Sequence, residues 1–112
     1  MGKAERGKGH RAEREEAQIW RDLGFEKCVT ARYESRSKDD QKVDLCFTEP
    51  FNIQVKFWKA APSYHKILKE MPDDENMNII VHKRAYQGKV VVMQAEDFYE
   101  ILEMLINNKV IL

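Results

Sequence analysis

Two short segments in the middle of the chain contain residue types suited to cleaving a phosphodiester bond. They are Val43-Asp44-Leu45 and Ile53-Gln54-Val55-Lys56. Metal-assisted hydrolysis of a phosphodiester needs oxygen ligands for a hard cation and a positive side chain near the attacking water. Asp44 and Gln54 offer side-chain oxygens, the carbonyl of Val55 offers another, and Lys56 offers the charge.

Alternation along two predicted strands places these groups together. Residues 42–48 and 51–57 are predicted to form a hairpin, in which successive side chains point to opposite faces. The apolar residues of one face are Val43, Leu45, Phe47, Ile53, Val55 and Phe57. Asp44, Gln54 and Lys56 are then on the other face. The alternative from these residues alone is a cross-strand ion pair between Asp44 and Lys56, with Gln54 uninvolved.

The remaining pattern predicts a mixed α/β (α+β) domain. The predicted elements are a helix over 10–23, a strand over 26–33, a polar loop over 35–41, the hairpin, a helix over 63–71, strands over 77–82 and 89–93, and a helix over 95–106 whose stripe from Phe98 to Leu105 faces the core. This order, αβββαββα, favours a central mixed β-sheet flanked by helices. Residues 1–9 are expected to be a flexible basic N-terminus, and residues 10–112 a single domain.

Composition limits the class of protein. The chain of 112 residues has no apolar run that could span a bilayer and no secretory pattern at its start, and Cys28 and Cys46 are expected to be reduced thiols of a cytoplasmic protein. The net charge of zero weighs against nucleic-acid binding. However, basic residues gather in 1–14 and 82–89 and acidic residues in 70–75 and 96–103, so one face could still hold a phosphate backbone.

Further upstream, a helical segment extends the motif. It reads Gly9-His10-Arg11-Ala12-Glu13-Arg14-Glu15 and ends near Gly24-Phe25, and a stretch with Arg32, Ser35 and Ser37 follows it. Together with the two central segments, this order over roughly residues 7–58 resembles the archaeal-type Holliday junction resolvases. Those enzymes belong to the PD-(D/E)xK, restriction-endonuclease-like superfamily of nucleases.

The resemblance implies a restriction-endonuclease-like fold and a divalent-metal endonuclease acting on branched or structured DNA. The implied catalytic residues are Glu13, Asp44, Gln54 and Lys56; Mg²⁺ or Mn²⁺ would be held by Asp44, Gln54, Glu13 and the carbonyl of Val55. The expected DNA contacts are Arg14, Arg32, Ser35 and Ser37 by resemblance, together with Lys8 and Arg11 of the basic N-terminal region. The two-fold symmetry of a junction implies a homodimer, and the resemblance suits a prokaryotic or phage protein.

One position departs from the family, because Gln54 stands where the resolvases have a glutamate. Three readings are open. Gln54 is a neutral ligand in an active enzyme; or Glu16, one turn beyond Glu13, supplies the missing charge; or the chain is a DNA-binding module without catalysis. A chance match in a small structural or partner-binding protein is a further alternative, favoured by the neutral net charge.

Overall fold

The computed structural model describes residues 3–58 and 63–112, with side chains described for all of these except residues 3–6, 8 and 33. Its architecture is mixed α/β. In chain order the elements are α1 (Lys3–Leu23), β1 (Val29–Thr30), α2 (Ala31–Glu34), α3 (Arg36–Asp40), β2 (Leu45–Cys46), β3 (Phe51–Phe57), α4 (Tyr64–Glu70), β4 (Met77–Arg84), β5 (Gly88–Met93) and α5 (Ala95–Asn107). Within those described ranges, no helix combines the length and apolar character needed to cross a membrane.

The strands form two separate ladders. The short strands β1 and β2 pair antiparallel, with Thr30 opposite Leu45. The longer strands form a three-stranded sheet in the order β3-β4-β5, in which β3 and β4 are parallel and β4 and β5 antiparallel. Helix α4 makes the connection from β3 to the parallel strand β4, as a parallel pair requires.

Helix α1 covers one face of the three-stranded sheet. The core on this side comprises Ala17, Cys28, Leu45, Ile53, Ile79 and Val81, with Trp20 and Val55 packed against it. The helix ends at Gly24, whose φ of +132° suits a residue without a β-carbon. The amide of Phe25 donates to Trp20 O and that of Gly24 donates to Arg21 O, which is the Schellman arrangement. The predicted end of this helix is confirmed, but its start is seven residues earlier than predicted.

Helix α4 lies on the opposite side of the sheet. Its Ile67 and Leu68 pack with Met71 and with Ile80 of β4. In the parallel register Ile80 is opposite Gln54. Because side chains alternate along a strand, Gln54 and Lys56 project towards the α4 side, while Ile53 and Val55 project towards α1.

Two short helices replace predicted extended and loop structure. The first strand was expected over residues 26–33, but pairing ends after Thr30 and α2 follows at once. Residues 35–41 were expected to be a loop, yet α3 forms because the Ser35 hydroxyl accepts a hydrogen bond from Lys38 N (3.3 Å) as an N-cap. The observed order therefore contains two helices that the predicted αβββαββα lacks.

The predicted hairpin over 42–57 is wrong. Strand β2 pairs with β1, whereas β3 pairs with β4. The chain between β2 and β3 turns sharply: Phe47 has a φ of +64°, and Thr48 Oγ1 donates to Phe51 O (2.7 Å). This turn breaks the alternation, so that Phe47 is exposed rather than sharing a buried face with Leu45.

The C-terminal helix also differs from expectation. None of the α5 side chains is buried, so the prediction that the stripe from Phe98 to Leu105 lies in the core is wrong. Phe98 borders an apolar cleft with Trp20, Phe51 and Val91. The stripe has the expected helical spacing, but this chain alone does not cover it.

The α1 side of the sheet should dominate stability. Ile53 is 0% exposed in that core, so Ile53→Ala should lower the free energy of unfolding by about 2–5 kcal/mol through lost burial and a cavity. Val90, 51% exposed on β5, is the matched control, and Val90→Ala should cost less than about 0.5 kcal/mol. Urea denaturation measures both; equal losses would contradict this division of the core.

Candidate functional site

Asp44 lies between the two ladders. Its backbone amide donates to Ile53 O (2.7 Å), its carbonyl accepts from Ala31 N (2.7 Å), and its carboxylate Oδ2 accepts from Val55 N (2.7 Å). The side chain is thus fixed against the free edge of β3, opposite the edge that pairs with β4. In an extended strand the N–H and C=O of one residue point to the same side. The carbonyl of Val55 therefore points towards the edge that Asp44 occupies.

Gln54 is the most unusual residue of the predicted set. It is 5% exposed, and its Oε1 is buried without a hydrogen-bond partner among the described residues. A buried polar atom left unpaired destabilises a fold by about 1–3 kcal/mol. An unpaired carbonyl oxygen at a predicted ligand position is a candidate donor to an ion or to a group of the substrate.

Lys56 follows Gln54 on the same face of β3 and is partly buried. Its Nζ lies 4.8 Å from the centroid of the Trp58 ring, and its charge lowers the pKa of Asp44. Lys56 and Asp44 therefore interact electrostatically, although they are not joined by the predicted hairpin.

Glu13 on α1 and Arg32 on α2 form a partly buried ion pair. Arg32 Nη2 donates to both carboxylate oxygens of Glu13, at 2.9 Å to Oε1 and closer to Oε2. Resemblance placed Arg32 on the DNA backbone, whereas here it contacts the predicted metal ligand. Both bonds come from the one nitrogen, and hydrogen bonds between an ionised donor and an ionised acceptor are stronger than neutral ones.

Two carboxyl groups of the candidate site, those of Glu13 and Asp44, have raised pKa values. Burial, followed by the charge of Asp44, raises the pKa of Glu13 from 4.5 to about 7, although Arg32 opposes the shift. Burial also raises the pKa of Asp44, against the Val55 amide and Lys56, which lower it. A nearby cation stabilises the ionised form of carboxyl groups whose pKa values are raised in this way.

The sequence reading missed Asp39. Its charge raises the pKa values of both Glu13 and Asp44, so the fold brings α3 to the same site. The signal was hidden because residues 35–41 were predicted to be a loop. Ser35, an N-cap residue type four places before the Asp39-Asp40 pair, is the signal that could have revealed this helix.

The carboxylate of Glu16 is hydrogen-bonded to residues outside the candidate site. Its Oε2 accepts from Trp20 Nε1 (3.0 Å) and its Oε1 from Lys89 Nζ (2.8 Å). It is 6% exposed, and both of its oxygens are used to connect α1 to β5. This contact explains why a carboxylate occurs within the apolar stripe of α1, and it favours the structural role over compensation for Gln54.

The expected DNA-contacting residues are spread over several surfaces. Arg11 lies beside Lys83 and Phe57, whereas Arg14 borders a cleft with Arg21 and Glu34. Ser37 is exposed on α3, and Ser35 is occupied in part as the cap of that helix. The Lys8 side chain lies outside the described residues.

Searches of family models, of curated proteins and of solved structures found nothing that matches this chain.

Within residues 3–58 and 63–112, no three His, Cys, Asp or Glu side chains lie close enough together to hold a metal ion. The oxygen donors that the sequence reading assigns to a metal are the carboxylates of Glu13 and Asp44, the Gln54 amide oxygen, which lies on the α4 face, and the Val55 carbonyl at the edge where Asp44 lies. These are hard oxygen atoms that fit Mg²⁺ or Mn²⁺ in kind, but they need the amide and the backbone to complete a set.

The two cysteines are buried and free. Burial raises the pKa of Cys28 to about 11 and raises that of Cys46. Both thiols are therefore protonated near neutral pH and are poor nucleophiles. The structure agrees with the expectation of two buried reduced thiols, and neither belongs to the site.

The raised pKa of Glu13 predicts how stability varies with pH in the metal-free protein. The native state holds this proton more tightly than the unfolded state does, so the contribution is complete below pH 4.5 and is lost as the pH rises to about 7. Glu13→Gln should remove that loss. Between pH 5 and 7.5 the wild type should lose about 1–2 kcal/mol relative to the variant, less than full linkage because water reaches part of the pair.

Urea denaturation in EDTA at several pH values measures the difference. Glu15→Gln is the control, because Glu15 is exposed and pairs only loosely with Lys83 (3.7 Å). Parallel pH profiles for wild type and Glu13→Gln would show that Glu13 titrates normally.

Proposed function

We propose that this chain is a divalent-metal-dependent endonuclease with a restriction-endonuclease-like fold, which hydrolyses phosphodiester bonds in branched or structured DNA as Holliday junction resolvases do. The observation that carries the proposal is the hydrogen bond that the Val55 amide donates to the Asp44 carboxylate. That contact holds the aspartate beside the central residue of Gln54-Val55-Lys56. An aspartate adjacent to a ligand-x-lysine strand is the arrangement that this chemistry requires.

Four groups would hold the metal ion: Asp44, Glu13, the Gln54 amide oxygen and the Val55 carbonyl. When bound, a divalent cation supplies a positive centre that polarises the phosphate and lowers the pKa of water. Asp44 is kept in place by the Val55 amide, and Glu13 is deprotonated more readily when a positive charge approaches. Lys56 provides a proton donor and a fixed positive charge for the phosphate oxygens.

Gln54 has a specific place in this proposal. A buried carbonyl oxygen without a partner is costly in the free protein, but it becomes a satisfied donor when a cation or a water on that cation contacts it. The neutral amide also avoids adding a further negative charge to the proposed site, where the charge of Asp44 already raises the pKa of Glu13. Glutamine in place of glutamate therefore makes the site less costly to fold, and it makes the binding of the metal ion weaker.

The second candidate is a DNA-binding module of the same fold without catalysis. The observation that favours it is the occupation of both Glu13 oxygens by Arg32. An arginine in that position neutralises the carboxylate and takes the place that a metal would need. On this reading Arg11, Arg14 and Lys83 hold the phosphate backbone, and the acidic site is a structural remnant.

A homodimer is part of the proposal, since a four-way junction presents symmetric strands. The surface it would use is the apolar cleft lined by Trp20, Val91, Phe98 and Ile101. Phe98 and Val91 are about half exposed or more, and α5 buries none of its side chains within its own chain. A two-fold contact through this cleft would cover the stripe that the fold leaves open.

Replacement of Lys56 tests the catalytic assignment. Lys56→Ala should reduce the rate of junction cleavage by about 10²–10³-fold, the loss seen when one charge-stabilising donor is removed. Junction affinity in Ca²⁺ should change by less than about threefold, since one phosphate contact is a small part of the total. Lys66→Ala, on the exposed side of α4, is the control. Unchanged cleavage by the Lys56 variant would refute this site.

Substitution of Gln54 by the family residue tests the metal site. Gln54→Glu should bind Mn²⁺ at least about tenfold more tightly, roughly 1.4 kcal/mol, because a negative ligand replaces a neutral one. Without metal, the variant should be less stable, since position 54 is 5% exposed and burial disfavours an ionised carboxylate. Calorimetric titration with Mn²⁺ measures the affinity, and Gln87→Glu in the exposed turn is the control. Equal affinities would exclude Gln54 from the metal site.

A further inference from the structure

A chain of side-chain contacts extends from Lys56 to helix α4. The ammonium of Lys56 lies 4.8 Å from the Trp58 ring centroid. The carbonyl oxygen of Trp58 is 3.3 Å from His82 Nε2, and the hydroxyl of Tyr64 is 2.8 Å from His82 Nδ1. Lys56 and His82 are opposite each other in the parallel register of β3 and β4, so both side chains project on the α4 side.

The direction of these hydrogen bonds follows from chemistry. A carbonyl oxygen only accepts, so His82 Nε2 donates to Trp58 O. The other ring nitrogen of a neutral imidazole accepts, so His82 Nδ1 receives the Tyr64 hydroxyl proton. His82 is 1% exposed, and Tyr64 packs against it edge-on at 5.8 Å. The ring is therefore held in one tautomer and one orientation.

Trp58 needs such a contact because regular pairing has ended. Strand β3 ends at Phe57, so the sheet no longer fixes the backbone of the next residue. The ring itself is 43% exposed and is not locked by core packing. Its carbonyl, held by His82, restrains the backbone from which the ring extends over Lys56.

We propose that Trp58 is a positioning residue for the Lys56 ammonium, and that the buried Tyr64–His82 pair fixes Trp58 through its carbonyl. The inference rests on the role of Lys56 in the proposed function. A lysine side chain has four rotatable bonds, and the face of an indole ring attracts a cation and limits where it goes. A displacement of about 1 Å in a reacting group can cost about 10²-fold in rate.

The contact itself is tested in the metal-free protein by NMR. The side-chain methylene protons next to the Lys56 ammonium should be shifted upfield by the Trp58 ring current. Trp58→Ala should remove this shift, and Trp58→Phe should keep part of it. Lys83, whose ammonium lies 5.8 Å from the Phe57 ring, provides internal control signals that should not move, and Tyr86→Ala is the control for loss of an exposed ring.

The contribution of the Tyr64–His82 pair, which holds the Trp58 carbonyl and is called the anchor below, is tested by variants of both residues. His82→Gln retains a donor for the Trp58 carbonyl and should keep most of the Lys56 shift, whereas His82→Leu should lose it. Because a buried histidine is sensitive to replacement, Tyr64→Phe provides a second variant that removes only one hydroxyl. The ¹⁵N shifts of the His82 ring should show the Nε2–H tautomer in the wild type and a more mixed population in Tyr64→Phe. Lys56 signals that stay the same in all three variants would overturn the anchor.

Kinetics distinguish this proposal from the function on which it rests. If the wild type cleaves a junction, Trp58→Ala should lower kcat at least about tenfold with KM within about twofold, and Trp58→Phe should recover most of kcat. A rise in KM alone would make the ring a DNA contact and overturn the positioning role. If the wild type cleaves nothing, the proposed function fails, while the NMR series still decides whether Trp58 and His82 position Lys56.

Discussion

The hydrogen bond from Val55 N to the Asp44 carboxylate is the contact on which the site depends. The two ladders of this fold share no strand, and β3 has a free edge where a hairpin partner was expected. Asp44 provides hydrogen-bond partners for the backbone groups at that edge. Its amide donates to Ile53 O, and its carboxylate accepts from Val55 N. Together with the core that Leu45 shares with Ile53, this residue joins the half of the chain that carries α2 and α3 to the strand that carries Gln54 and Lys56.

That contact also sets the charge balance. Holding Asp44 partly buried near Glu13 costs electrostatic energy, because burial raises the pKa of both carboxyl groups and the charge of Asp44 raises that of Glu13 further. Arg32 and Lys56 offset the repulsion from two sides, yet the pKa of Glu13 still rises to about 7. The site is therefore short of positive charge in the free protein. A divalent cation or a proton would relieve the shortage, and the proposed function uses the first.

The sequence predicted the local features better than the connections between them. Helix α4, strands β4 and β5, and the end of α1 follow from periodicity and Gly24. The shared face of Gln54 and Lys56 follows from alternation, which holds inside a seven-residue strand. The pairing of β2 with β1 was not predicted. The chain turns at Phe47, which has a positive φ, and at Thr48, and neither residue is a glycine or asparagine that would indicate such a turn in the sequence.

The same reasoning explains the site residues that were and were not foreseen. Asp44 was identified from the two central segments and Glu13 by resemblance, and the structure brings the charge of Asp44 close enough to raise the pKa of Glu13. Asp39 was missed because a short helix capped by Ser35 was taken for a loop. Arg32 was expected on DNA but bonds Glu13, since partner choice depends on how α2 turns after a two-residue strand. The exposed stripe of α5 shows that periodicity locates an apolar face without saying whether the same chain covers it.

The central claim is tested most directly by incubating the wild-type protein with a four-way DNA junction and, in parallel, a linear duplex of the same sequence. The assay contains Mg²⁺ or Mn²⁺ or EDTA, with products resolved on a denaturing gel. The account predicts cleavage of the junction with metal, little cleavage of the duplex, and none in EDTA. A junction that is bound but uncut would contradict the enzyme and favour the binding module. A junction that is neither bound nor cut would contradict both.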